Sequence, residues 1–350
     1  MGLFDKFTKP KWEHKKWEKR LKAIEELNDQ EILSNLAFKD DAPRVRIAAI
    51  NKITDENILV KHAKNNSNQE CRKIAVNNIN DTNLLTEIAK MDYTGYRHLN
   101  DKTPFQLRSI AQHKDIENIN LTIEICNLAV DKIKNPTLLT DIAFNATLVE
   151  VRKYSLKYIY DEKVLVELAI KEKFLLKTVV NKVHTKSSFV TLAMNLPNDI
   201  KYDSGLLNSI IQNINSDKDL LNISKSAKNS EIRAFATKKL PSINNEDTFI
   251  EIAKNDPDSS VREESVKKIT DEKVLADLAL NDSSWDVRPR AVENKYLNDI
   301  DVLRKVAKSD SYYYEDPIYE SIDSYKVVGT EKYYMVREAA KRRLKELQDK

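Results

Sequence analysis

An alanine that closes an amphipathic segment returns at a fixed interval along the chain: Ala37, Ala63 and Ala89, then Ala143 and Ala169, then Ala253 and Ala279, with 26 residues between neighbours in each set. Self-similarity at such a period constrains the fold more than any other property. Each repeat must be one supersecondary unit that buries its apolar face against the next. The unit emerges when VRIAAINKITDENILVKHA from Val45 is set against CRKIAVNNINDTNLLTEIA from Cys71, VRKYSLKYIYDEKVLVELA from Val151 and VREESVKKITDEKVLADLA from Val261. An apolar residue and Arg open one segment, a small residue follows four positions later and an aliphatic after eight, so these side chains share one helical face. A polar turn then leads to a second segment that ends in an aliphatic residue and the alanine. Weaker copies centre on Ala111, Ala193, Ser224 and Ala307. The expectation is an all-α protein, an α-solenoid of about ten short helix pairs running through 1–350 as one array. Only 4 glycines and 9 prolines interrupt it, and 41% hydrophobic beside 32% charged residues suits thin helices with one buried stripe.

Acidic residues punctuate the turns: Asp55-Glu56, Asp81, Asp161-Glu162 and Asp271-Glu272 each precede an aliphatic run. Carboxylates there accept the unpaired amides of a first helical turn and oppose the positive end of the helix dipole. They read as caps, not as a catalytic pair. The combination of Val-Arg, a small residue, an aliphatic, then Asp and Leu resembles HEAT repeats, in particular the compact class named after phycobilisome lyases. The resemblance spans about Lys11 to Leu347. It implies that the opening arginines, Arg20, Arg46, Arg72, Arg152, Arg233, Arg262, Arg288 and Arg337, form a ladder with acidic groups or carbonyls of adjacent turns. It also implies a break in that ladder at Cys126, Leu176 and Leu207, where the pattern fails.

Three stretches depart from the period: 91–106, 194–205 and 309–335, which hold every glycine except Gly2. Additions to a rigid repeat scaffold are where binding function concentrates. The third carries Tyr312, Tyr313, Tyr314, Tyr319, Tyr325, Tyr333 and Tyr334, half of the chain's fourteen tyrosines, among acidic residues. Tyrosine offers large amphipathic contact area at small entropic cost, which suits protein recognition. The same side chains could instead seal the last repeat.

The formal net charge of +3, from 58 basic and 55 acidic residues, provides no global basic field of the kind that marks many nucleic-acid binders. Local fields remain. Six residues after the opening apolar position lies a column that ends in Lys157, Lys238, Lys267 and Arg342, apart from Glu293, and the next position adds Lys239, Lys268 and Arg343. If the HEAT resemblance holds, these helices line a concave side, and the basic residues would suit nucleic acid or another polyanion.

No apolar run reaches the length of a membrane span. Leu3, Phe4 and Phe7 fall at helical spacing, so residues 1–7 either cover the first repeat or touch a membrane surface. Cys71 and Cys126 occupy apolar helical positions, as expected of buried thiols in a reducing cytoplasm. The five histidines form no metal-ligand spacing, and no phosphate-binding glycine loop or nucleophile elbow is present. The reading is a non-catalytic protein-binding scaffold without a cofactor or metal, with polyanion binding as the alternative.

Overall fold

The computed structural model describes residues 10–91, 113–198, 201–309, 314–319, 327–333 and 335–349. Residues 1–7, Ala111 and nearly all of 91–106 lie outside them. Among the described residues the architecture is all-α apart from one hairpin, with α1 (Trp17–Glu26) followed by ten helix pairs. The first pairs are α2 (Gln30–Lys39) with α3 (Pro43–Lys52), α4 (Glu56–Asn65) with α5 (Gln69–Asn78), α6 (Thr82–Ala89) with α7 (His113–Lys132), and α8 (Pro136–Asn145) with α9 (Val149–Ser155). They continue as α10 (Glu162–Lys171) with α11 (Leu176–Val180), α12 (Lys186–Asn195) with α13 (Ser204–Gln212), and α14 (Asp217–Ser226) with α15 (Ser230–Lys239). The last are α16 (Glu246–Asn255) with α17 (Ser259–Val266), α18 (Glu272–Asn281) with α19 (Val287–Glu293), and α20 (Ile300–Ser309) with α21 (Met335–Gln348).

Contacts group the chain into two compact units, 1–168 and 169–350. Within each, odd-numbered helices pack on the neighbouring odd ones and even on even, so each unit is two layers of helices. The recurring alanines explain the stacking. Ala37, Ala63, Ala143, Ala169 and Ala253 are wholly buried, and Ala89 and Ala279 are 1% exposed, all in even-numbered helices. With no side chain beyond Cβ, they let neighbouring helices approach closely. Ala193 and Ser224 occupy the same buried position in α12 and α14, whereas Ala307 is only half-buried.

The acidic turns do what their spacing implies. Asp29, Asp55, Asp81 and Asp271 each accept the amides two and three residues ahead, capping an even-numbered helix. The first residue of an even-numbered helix reaches the following repeat: Glu56 accepts the amides of Asn80 and Asp81, and Glu246, which follows Asn245, those of Thr270 and Asp271. The carboxylates are thus committed to backbone.

The arginine ladder is present in two forms: Arg20, Arg233 and Arg262 fork onto aspartates, whereas Arg46, Arg72 and Arg288 donate to the carbonyls of Asp40, Ala63 and Asp282. Arg20 forks onto Asp40 at 2.7 Å through both Nε and Nη2, Arg233 onto Asp256 at 2.8 and 2.9 Å, and Arg262 onto Asp282 at 3.0 and 2.9 Å. Each also donates through Nη1 to carbonyls five and six residues earlier. The planar fork satisfies both partners in a buried setting. Burial opposes ionisation of Asp40, but the Arg20 fork and the Ala42 amide together hold its carboxyl below the usual range. The ladder stops at the expected places, where Cys126, Leu176 and Leu207 sit fully buried. The Cys126 thiol donates to Ile88 O at 3.4 Å, and burial pushes its pKa up to about 12, so it is inert. Cys71 is buried as well.

Two of the three expected irregular stretches are more regular than the sequence suggested. Met194 and Asn195 complete α12, and Ser204 and Gly205 begin α13, which Asp203 caps through the Leu206 amide. In 309–335, strands β1 (Tyr314–Tyr319) and β2 (Val327–Tyr333) form an antiparallel hairpin, with Tyr314 opposite Tyr333 and an irregularity between Ile318 and Tyr319. The described part of the connection from α20 to α21 is thus a pair of strands.

Candidate functional site

The seven basic candidates divide into two kinds, and the division follows the repeat. Lys239 Nζ donates to Ile211 O at 3.1 Å, Gln212 O at 2.9 Å and Asn215 Oδ1 at 3.2 Å. Lys268 Nζ donates to Lys238 O at 2.7 Å and to Leu240 O. Arg343 donates to Lys295 O at 2.8 Å, Leu297 O at 3.4 Å and Asn298 Oδ1 at 3.1 Å. The lysine heads sit on the carbonyls that the preceding odd-numbered helix leaves unpaired at its C-terminus, and Arg343 sits on carbonyls of the turn that follows α19. Lys52 and Lys132 do the same on α1 and α5, and the carboxamide of Asn294 does it on α17. Burial pulls Lys132, Lys239 and Lys268 below the usual lysine range. Lys239, Lys268 and Arg343 are therefore inter-repeat caps, which corrects their assignment to an open basic face.

The other four candidates stand exposed, and three of them are paired. Lys267 bridges Glu264 at 2.8 Å and Glu263 at 3.1 Å on its own helix. Glu263 also meets Arg290 at 2.9 Å, and Glu293 joins Arg290 at 3.0 Å to Arg342 at 3.1 Å. Lys238 stands exposed on α15, and with Lys267, Arg290 and Arg342 paired to Glu263, Glu264 and Glu293 the C-terminal unit offers a charge-balanced surface more than a basic one. Lys157 belongs to the N-terminal unit, where its ammonium lies 3.8 Å from Asp131.

Lys157 leads to a constellation that its column alone does not reveal. The Tyr154 hydroxyl donates to both Asp131 oxygens, at 2.9 and 3.0 Å, and the Tyr158 hydroxyl donates to Oδ1. Lys157 Nζ sits 5.4 Å from the Tyr154 ring centre and 4.8 Å from that of Tyr158. Burial, with the Asp131 carboxylate, raises the pKa of Tyr154. The signal was available in YSLKY, where tyrosines three before and one after Lys157 fall on one helical face.

Beside this cluster, α5, α7 and α9 enclose a groove of about 570 Å³ in the odd-helix layer of the N-terminal unit. Ile123, Leu128 and Tyr154 supply half-buried apolar surface, and Asn77, Asn120 and Asn127 supply carboxamides. Glu70, Glu124 and Asp131 are its carboxylates, and Lys73 pairs with Glu124 at 2.6 Å. Asn127 Oδ1 is buried without a hydrogen-bond partner.

Of the tyrosines in the hairpin region, Tyr314 and Tyr333 are register partners and Tyr319 stands opposite Val327. Tyr312, Tyr313, Tyr325 and Tyr334 lie outside the described residues. Among the described residues no three His, Cys, Asp or Glu side chains are placed to hold a metal ion, and no helix is long and apolar enough to cross a membrane. His62 is structural. Its ring stacks on Phe38 with centroids 3.9 Å apart, and its nitrogens lie 3.0 Å from Ser34 Oγ and 2.9 Å from Asn66 Nδ2.

Compared with known proteins, the chain matches no family model and no curated protein.

Proposed function

We propose that the chain is a HEAT-type repeat scaffold that works by binding a protein partner, without catalysis, through the odd-helix groove of its N-terminal unit. One observation carries this reading. The groove combines half-buried apolar side chains with carboxamides that can donate to and accept from a peptide backbone. Elsewhere the polar groups of the repeat are committed to one another: aspartates to helix N-termini, arginines to aspartates, lysines to helix C-termini. In the groove, by contrast, the scaffold's own bonding leaves Asn127 Oδ1 without a partner. The paired cations of the C-terminal unit favour a protein over a polyanion as the partner, because counterion release requires free charge.

Capture from native cell extract by the full chain tests the reading. Asn77 and Asn120 are exposed, so replacing both with Arg fills the groove without disturbing the core. The expected result is a protein retained by the wild type at high salt and lost with the double variant. A captured species that is nucleic acid, released as salt rises, overturns it.

A further inference from the structure

The chemistry of the groove narrows the kind of segment it takes, an inference that rests on the scaffold reading above. Two tyrosine rings and a carboxylate surround the Lys157 ammonium, an arrangement that attracts a cation through ring quadrupole and charge together. The rings do not depend on Lys157 for their placement. Both hydroxyls donate to Asp131, which fixes them whether or not the ammonium is there. Lys157 itself is exposed, on a long stem at a single 3-10 turn (Leu156–Tyr158), so the cation it places between the rings is one that a second cation of the same chemistry can compete with.

Asp131 and Tyr154 also line the groove, so the cation position opens directly onto it. Three carboxylates face one ammonium there, that of Lys73, already bound to Glu124. Acceptors exceed donors as well. Asn127 Oδ1 lacks a partner. We propose that the groove binds a lysine- or arginine-bearing segment of a partner polypeptide, whose cationic side chain displaces Lys157 from between Tyr154 and Tyr158 above Asp131. Lys157 is then an internal competitor that keeps the site weak until such a segment arrives.

The test uses the full chain and a fluorescent peptide of alternating lysine and serine, followed by anisotropy at about 50 mM salt, with a glutamate–serine peptide as control. The lysine peptide should bind and the glutamate peptide should not. Asp131→Asn should weaken binding about tenfold or more, and Lys157→Ala should tighten it about threefold to tenfold. The gain is the decisive arm, since a misfolded or merely structural variant does not bind more tightly. Unchanged or weaker binding by Lys157→Ala overturns the proposal. The two readings fail separately. If a protein is captured from extract but neither Lys157→Ala nor Asp131→Asn changes its retention, the cation site falls and the scaffold stands. If the peptide responds as described but no protein is captured at any salt, the scaffold falls and the cation site stands.

Discussion

Replacing Lys268 with Met, beside the same change at Lys267, separates a structural cap from a surface charge at adjacent positions. Lys268 donates to Lys238 O at 2.7 Å and to Leu240 O, the latter 28 residues earlier in the chain. Hydrogen bonds from a charged donor contribute about 1.5–3 kcal/mol each, and a cation at a helix C-terminus adds roughly 0.3–1 kcal/mol. Burial of the ammonium offsets part of this, as its lowered pKa shows. A net loss of about 2 kcal/mol is the expected result for Lys268→Met. Lys267 keeps only exposed bridges to Glu263 and Glu264, so Lys267→Met should cost no more than about 0.5 kcal/mol. Urea denaturation of the full chain followed by circular dichroism measures both, and hydrogen exchange of the amides at the end of α15 and in the following turn shows where the loss falls. Equal midpoints for the two variants would refute the capping argument.

Three further predictions probe other parts of the scaffold. His62 should titrate near 4, because burial favours the neutral ring; the unfolded chain takes up its proton near 6.5, so its contribution is fully present above that value and fades by up to roughly 3 kcal/mol as pH falls toward 4. NMR of the ring checks the pKa, and a stability gap between wild type and His62→Gln that does not narrow on acidification contradicts it. Ala63→Leu or Ala253→Leu should overpack the even-helix layer by about 1–3 kcal/mol, read from the denaturation midpoint; no shift for either would mean that the layer tolerates bulk there. Replacing 312–334 by a short polar linker should leave the thermal midpoint nearly unchanged if the hairpin region serves recognition, whereas a large drop would make it a seal on the last pair.

The backbone of the fold was legible because its determinants are local and repeated. The recurring small residue, the aspartates before aliphatic runs and the arginines after opening apolar residues are periodic signals: the closing alanines are buried, Asp29, Asp55, Asp81 and Asp271 cap helices, and Arg20, Arg233 and Arg262 fork onto aspartates. The lysine caps were misread for a physical reason. The second residue of each basic pair looks solvated on its own helix, and its acceptors lie on a neighbouring helix about one repeat earlier. The hairpin escaped because YEDPIY carries a proline and two acids within a strand, which masks the alternation that marks one. Tyr154 and Tyr158 carry no local signal of their role because their partner Asp131 is more than twenty residues away in the chain.

Site-specific photo-crosslinking in the native cell tests the central claim most directly. A photoreactive residue is placed at Asn127 in the groove and, separately, at Lys61, which is exposed on α4 in the even-helix layer. Binding through the odd-helix groove should give a discrete protein adduct from position 127 and none from position 61. No adduct at 127, or the same adducts from both positions, would contradict a scaffold that binds through its odd-helix groove.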